Sequence, residues 1–277
     1  MKPPPGMKLP RGKCLRLHKS IYGLKQVSWL FNQLLVSFFH QLGFTVCPID
    51  TCLMYLVTTD GLILVAIYVD DILLCATSLT LADDITTQLE AKFNCVNLGK
   101  ISWCLGMRIR TSDCLHIITL DLDHYIQTIL ARYEFDQLPA APTPMLHDLK
   151  LSAADCPSTD AETKVMEDYP FRSAVTSLMF AMVAMRVDIS YAVISVARFT
   201  ANPGLPHWHA LVRIFQHLKG TSAMQLTYSH VVDTPAPLLY GYSDADYWAT
   251  TDIDERRTCI GYYVFFSGAA IFWLTRF

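Results

Sequence analysis

Tyr68-Val69-Asp70-Asp71 sets two carboxylates side by side between two apolar runs, Leu62 to Val69 and Ile72-Leu73-Leu74. Adjacent ionised carboxylates repel each other and are costly to desolvate in an apolar setting. A tight turn between strands keeps both in water while the flanking hairpin packs. Carboxylates held this way suit divalent metals, and two-metal phosphoryl transfer uses such ligands around ions about 4 Å apart. The same pair also reads as a plain polar turn, and the residues by themselves leave both readings open. Ser243-Asp244-Ala245-Asp246 is likewise a good turn sequence. His207 and His209 flank Trp208 with no cysteine or carboxylate at zinc-ligand spacing, so surface or packing positions are expected for them.

The elements around these residues follow from periodicity. Cys52 to Val57 and Leu62 to Val69 are strand-like, and Thr58-Thr59-Asp60-Gly61 between them carries the Asp-Gly hairpin signal. Ser28 to Leu42 is apolar around most of its circumference and predicts a largely buried helix. Leu81, Ile85, Leu89 and Phe93 recur every fourth residue and predict an amphipathic one. Two short strands near Ile101 to Arg110 and Leu115 to Thr119 lead to a helix over Leu122 to Tyr133. Pro139 to Tyr169 is long, polar and proline-bearing, the composition of a linker. Helices are expected within Phe171 to Thr200 and His207 to Leu218. Strands follow at Leu226 to Ser229, Leu238 to Tyr242, Cys259 to Phe266 and Ala270 to Leu274.

Composition excludes several classes. With 52% hydrophobic and 17% charged residues in 277, the chain has ample apolar surface to bury and is neither disordered nor a coiled coil. Its longest uncharged apolar stretches, Gly61 to Val69 and Ala174 to Met185, are too short to cross a bilayer. No secretory signal core follows Met1. The nine cysteines form no Cys-x-x-Cys pair and sit mostly in apolar runs, as buried free thiols of a reducing compartment would. Net charge is −3, yet Lys2, Lys8, Arg11, Lys13, Arg16, Lys19 and Lys25 meet no acid before Asp50. That leaves −10 for the remainder, an asymmetry that fits either an arm facing phosphate or a solvated tail.

The order of motifs carries a resemblance. Lys19-Ser20-Ile21-Tyr22-Gly23-Leu24-Lys25-Gln26 precedes Tyr68-Val69-Asp70-Asp71-Ile72. Leu105-Gly106-Met107, Pro142-Thr143-Pro144-Met145 and the stretch from Phe171 to Met179 come next. Arg186-Val187-Asp188-Ile189, His207-Trp208, Leu218-Lys219-Gly220-Thr221, Gly241 to Asp246 and Arg256-Arg257-Thr258 complete the set. In this order the chain resembles the reverse transcriptase and early ribonuclease H portion of copia-type retrotransposon polyproteins over nearly its whole length.

The resemblance implies an α+β fold: a partial polymerase palm with thumb-like helices, then the first strands of a ribonuclease H-like sheet. The implied division is 1–140 for palm and thumb, 141–235 for linker and connection helices, and 236–277 for the ribonuclease H-like segment. It implies RNA-directed DNA polymerase chemistry with Mg2+ held by Asp70 and Asp71, and Tyr68 beside the primer end. Lys25 and Gln26 would touch incoming nucleotide and template. Leu105-Gly106-Met107 would grip the primer, and Asp244 would be the first metal ligand of the ribonuclease H-like site. The implied partners are RNA template, DNA primer, deoxynucleotides and the rest of the polyprotein, without a membrane. The implied setting is intracellular, in cytoplasmic virus-like particles or the nucleus.

Departures from the pattern matter too. The family's further aspartate strand lies upstream of the Met-Lys-Pro-Pro-Pro-Gly stretch with which this chain starts. Ala-Pro-Arg-x-Trp is replaced by Val27-Ser28-Trp29-Leu30-Phe31, and Arg-Pro-Asp-Ile by Arg186-Val187-Asp188-Ile189. The chain ends at Phe277, before the later acidic residues of a ribonuclease H site. The expectation is a polymerase fragment without activity of its own. The alternatives are a non-catalytic remnant and a nucleic-acid-binding module that uses the basic N-terminal arm.

Overall fold

The computed structural model describes residues 6–10, 12–18, 21, 23–24, 26–114, 116–229, 239–246, 254 and 258–277. The chain divides into two units, 1–99 and 100–277. Both combine helices with antiparallel sheets, the α+β class expected.

The first unit runs α1 (Val27–Gln41), β1 (Thr45–Val46), β2 (Leu53–Thr58), β3 (Gly61–Tyr68), β4 (Asp71–Ala76) and α2 (Leu79–Lys92). Its sheet has the order β1-β2-β3-β4, every pair antiparallel. Alternation in β3 sends Ile63, Val65 and Ile67 into the core, where they meet Leu35, Phe38 and Phe39 of α1 and Ile85 and Leu89 of α2. The period-four stripe of α2 therefore packs as expected, and the Ser78 hydroxyl caps its start by accepting the Leu81 N–H. α1 ends where Gly43 takes φ 91, so that the Phe44 N–H reaches back to the Phe39 carbonyl. The expectation of a largely buried α1 is not met. Trp29 is 63% exposed and Leu34 51%, so the helix buries one stripe and leaves an apolar stripe outside.

The second unit runs β5 (Trp103–Cys104), β6 (Met107–Thr111), β7 (Ile117–Asp121), α3 (Asp123–Arg132), α4 (Asp160–Met166), α5 (Phe171–Ala184), α6 (Ser190–Ala197) and α7 (Leu205–Gly220). It continues with β8 (Gln225–Ser229), β9 (Leu239–Ala245), β10 (Ile260–Phe266) and β11 (Ala269–Arg276). Two antiparallel sheets result, ordered β5-β6-β7-β8 and β11-β10-β9. The single strand expected over Ile101 to Arg110 is a hairpin, because Leu105 and Gly106 take φ 50 and 78 and fold it back. The core gathers Ile126 and Ile129 of α3, Leu178 of α5, Val193 and Val196 of α6, and Ile214, Phe215 and Leu218 of α7.

The polar stretch 139–169 is held against this core rather than free. Leu151 and Met166 are buried, the Ala141 N–H bonds the Gln216 carbonyl, and Lys219 donates to the Leu138 carbonyl. Its Ser, Thr and acidic residues close two capping boxes, Ser152 with Asp155 and Thr159 with Glu162. The thiols also differ from expectation. None of the nine cysteines is buried, and Cys75 is exposed because strand alternation turns it away from the α1–α2 side. His207, by contrast, is fully buried and stacked on Phe199 at 4.0 Å, its Nδ1 accepting the Gly204 N–H. Burial holds its imidazole below the ordinary value. It is a packing residue, as expected.

Arg186 interrupts what would be one long helix from Phe171 to Thr200. Its side chain, 2% exposed, donates from Nε and Nη2 to the two Asp188 oxygens at 2.8 and 2.7 Å. It also donates to the carbonyl and hydroxyl of Thr221 at 3.1 and 2.6 Å. His217 Nε2 lies 3.0 Å from Asp188 Oδ2, with Nδ1 3.2 Å from the Ala141 carbonyl. Burial alone would raise the Asp188 carboxyl. The Arg186 hydrogen bonds and charge, together with His217, outweigh that and hold it below the usual carboxylate range.

Two outcomes follow. Asp188→Asn leaves the Arg186 guanidinium buried without a counter-charge and lowers the stability of the second unit by roughly 3 kcal/mol at neutral pH. Because the carboxyl titrates lower in the folded chain, its stabilisation is complete at neutral pH and drains away as pH falls through the folded value. The gap between parent and variant therefore narrows below about pH 4. Urea unfolding across pH checks both, and a gap that widens in acid contradicts the account. In the last sheet, Ile260, Phe272 and Leu274 share one face and are 41%, 56% and 38% exposed. A dye that binds apolar surface should fluoresce with the parent, and lose much of that signal in Phe272→Lys/Leu274→Lys without loss of stability.

Candidate active site

β3 and β4 pair from Ile63↔Ala76 to Tyr68↔Asp71, which leaves Val69 and Asp70 as a two-residue turn. Asp70 therefore sits in the turn and Asp71 opens β4 opposite Tyr68. Both carboxylates are exposed and Tyr68 is 59% exposed, so the charged tip stands in water at the end of a buried strand. The antiparallel hairpin with both aspartates at its tip is the arrangement expected from the charge pair between apolar runs. Register also fixes the side. Asp71, Leu73 and Cys75 lie with Tyr68 on the face turned away from Ile63, Val65 and Ile67, which meet α1 and α2.

The turn is strained. Val69 has φ 53, a left-handed conformation disfavoured for a β-branched residue, and its side chain is 49% exposed. Nothing in its packing requires valine, so the strain belongs to the geometry of the tip. Strain of this kind gathers where side chains are held for a purpose.

The other expected site residues are dispersed. Gln26 is exposed at the N-terminal boundary of α1 and makes no side-chain cap, while Lys25 lies outside the described residues. Of the basic arm, Lys8, Lys13 and Arg16 are described and lie in neither helix nor strand. Asp244 lies on β9 in the second unit, paired with Gly261, and its Oδ1 takes the N–H of Ala245. Among the described site residues of the first unit, Tyr68, Asp70 and Asp71 share the hairpin tip. Asp50, which the sequence gives no reason to prefer, lies at the same end of the sheet, since the Cys52 carbonyl takes the Ile67 N–H. Its Oδ1 is committed to the Cys52 N–H of a local turn. Among the described residues no three His, Cys, Asp or Glu side chains converge closely enough to hold a metal ion.

The chain is similar to several known proteins. The family model for reverse transcriptase (RNA-dependent DNA polymerase) matches residues 1–147. The chain is 35% identical over 262 residues to the retrovirus-related Pol polyprotein of transposon TNT 1-94 of Nicotiana tabacum, covering 94% of this chain and 19% of that one. It is 29% identical to a transposon Ty5-1 protein of Saccharomyces cerevisiae, over all of this chain and 86% of that one. A third similar chain is the Pol polyprotein of transposon RE1 of Arabidopsis thaliana, 30% identical over all of this chain and 18% of that one. The chain therefore spans about a fifth of the two plant polyproteins. No solved structure matches.

The strain at Val69 makes a direct prediction. Val69→Gly removes the clash of a β-branched side chain at positive φ while losing little packing. It should raise the stability of the first unit by about 1 kcal/mol in urea unfolding. A loss of stability would show that the valine side chain is needed at the tip.

Proposed function

Because this chain belongs to the reverse transcriptase (RNA-dependent DNA polymerase) family, in its copia-type retrotransposon branch, we propose that the tip at Tyr68–Asp71 is the metal-holding centre of template-directed nucleotidyl transfer. The observation that carries this reading is the pair of solvent-open carboxylates, one in a strained two-residue turn and one on the first residue of the strand after it, at the end of an apolar hairpin. Their chemistry fits Mg2+, a hard ion that prefers oxygen and binds through one or two carboxylates plus substrate phosphates. When bound, the ion supplies charge neutralisation at the phosphates. Asp70 and Asp71 hold it, and the exposed Tyr68 ring on the Asp71 side flanks the primer end. Lys25 and Gln26 meet nucleotide and template, Leu105-Gly106-Met107 forms part of the primer contact, and RNA template with DNA primer are the partners.

The edge of the sheet supports the same reading. β4 ends the strand order, so among the described residues no strand pairs with its outer side. A strand added there would carry its side chains next to Asp71, the position a third carboxylate of a two-metal cluster needs. Asp60 cannot serve, since it lies in the turn at the far end of β3, roughly 25 Å away at about 3.3 Å per residue. On this reading residues 1–140 form palm and thumb, 141–235 connect, and Asp244 in 236–277 is the first ligand of a ribonuclease H-like site. The polypeptide 1–277 then holds half a cluster, and the missing half costs several orders of magnitude in rate.

Two measurements test the proposal. Mn2+ binding followed by its paramagnetic signal should be weak in the parent and abolished in Asp70→Asn/Asp71→Asn, and binding equal in both would remove the tip from the metal site. Purified 1–277 should extend no primer on RNA or DNA template with Mg2+ or Mn2+. Extension by the parent that vanishes in the double variant would show the centre to be complete within this chain.

A further inference from the structure

Pro142-Thr143-Pro144 runs beside α7 between two anchors. Ahead of it, the Ala141 N–H donates to the Gln216 carbonyl at 3.2 Å, and the Ala141 carbonyl lies 3.2 Å from His217 Nδ1. Behind it, Met145 packs against the core of the second unit. Thr143 itself is exposed. Pro142 has its φ fixed, and Pro144 steers the residue before it away from helical backbone. The segment therefore presents one hydroxyl on a stiff, tethered stretch of chain.

That hydroxyl meets an arginine with a donor to spare. Arg213 of α7 donates from Nη2 to Thr143 Oγ1 at 3.0 Å. Its Nε is shut off from solvent and, among the described residues, has no hydrogen-bond partner. Nε–H and one Nη2–H point the same way and form the fork that a carboxylate or phosphate fills with two oxygens. Arg186 shows the filled form, with Nε and Nη2 on the two oxygens of Asp188 at 2.8 and 2.7 Å. In Arg213 one hydroxyl oxygen takes one tine and leaves the other empty. A buried donor without an acceptor costs free energy, and such orphans are rare in folded chains. α7 offers no remedy, since it carries His209, His217 and Lys219 but no acidic residue.

The empty tine lacks a second oxygen at the position of the Thr143 side chain. A phosphate ester on Oγ1 supplies three, with a charge of roughly −1.5 to −2 near neutral pH. Two of those oxygens suit Nη2 and Nε together. An exposed threonine followed by proline is also the substrate form of proline-directed protein kinases.

We propose that Thr143 is a phosphorylation site and that Arg213 receives the phosphate, clamping the segment 138–145 to α7. Thr143 Oγ1 attacks the terminal phosphorus of a nucleoside triphosphate. The new O–P bond replaces the bond to the nucleoside diphosphate, which leaves, and the hydroxyl proton passes to a base of the kinase. The clamp adds a charged link to those that Lys219 makes with Leu138 and Gln216 with Ala141. It uses no residue of the carboxylate tip and does not rest on the polymerase reading.

The test uses the full chain carrying Thr234→Ala, which removes the other Thr-Pro pair of the sequence, outside the described residues. Incubation with a proline-directed kinase, Mg2+ and ATP should add one phosphate, mapped to Thr143 by fragmentation mass spectrometry and absent after Thr143→Ala. Phosphorus NMR then reads the clamp. In the folded chain the phosphate should ionise below its ordinary second value of about 6, by roughly half a unit or more, and urea unfolding should restore that value. His209, His217 and Lys219 act in every variant, so the difference on Arg213→Ala isolates the guanidinium. That variant should titrate near the ordinary value. Arg213→Lys, which keeps the charge and loses the fork, should fall between, and it carries the comparison should the alanine variant fold poorly. Phosphorylation should also raise the urea midpoint of the parent, with the gain lost in Arg213→Ala. The proposal is overturned if Thr143 takes no phosphate, if Arg213→Ala or Arg213→Lys titrates like the parent, or if phosphorylation lowers the urea midpoint.

Discussion

A guanidinium that is 2% exposed must find an anion and acceptors for its remaining donors, and much of the second unit is arranged to supply them to Arg186. Asp188 meets it from two residues away, which is possible only if the chain leaves the helix after α5. Thr221 meets it from the far end of α7, so the C-terminal ends of α5 and α7 are brought together. His217 and the Ala141 carbonyl extend the network into the stretch 139–145. Each connection is polar and directional, and none tolerates a slide of one helix along another. Apolar packing of Leu178, Phe215 and Leu218 supplies the driving force, while the buried charge selects one arrangement among those that packing allows.

The first unit solves the opposite problem. Asp70 and Asp71 carry like charges and no cation pairs with them among the described residues, so the chain keeps them in water by placing them where a buried strand must turn. Between these two cases lies Asp121, an anion on an exposed sheet face that two arginines have closed over. Repulsion sets the first arrangement, full neutralisation the second, and shared neutralisation the third. The chemistry open to the two extremes follows. The bare pair can accept cations, and the closed network can accept nothing.

Legibility in the sequence tracked how local each determinant is. The hairpin at Val69-Asp70 and the stripe Leu81, Ile85, Leu89 and Phe93 were readable because turn chemistry and periodicity act over a few residues. Asp70, Asp71 and Tyr68 were visible as a group for the same reason. The stretch 139–169 misled because its Ser, Thr and Asp residues look like linker composition until Ser152 and Thr159 are seen capping short turns. α1 misled in the other direction: its sequence is apolar around most of its circumference, yet only Leu35, Phe38 and Phe39 are buried, with Phe31 and Val36 partly so. Arg186 reads only as part of a motif, since its partner Thr221, and the His217 that shares Asp188 with it, lie over thirty positions away. The pairing of Arg108 with Asp121 was invisible because strand register, unlike strand identity, is a long-range property.

β8 carries a consequence for how the chain is made. It completes its sheet by pairing with β7, although about a hundred residues intervene between Asp121 and its partner Gln225. A growing polypeptide forms the β5-β6-β7 meander early, because those strands close over short loops. The edge of β7 then stays bare throughout synthesis of the helices. Ile117 and Ile118 are still 41% exposed in the finished fold, so during that interval an apolar strand with unsatisfied backbone groups is open to any other strand in reach. The rate at which α5, α6 and α7 assemble around Arg186 therefore sets how long the nascent chain remains sticky.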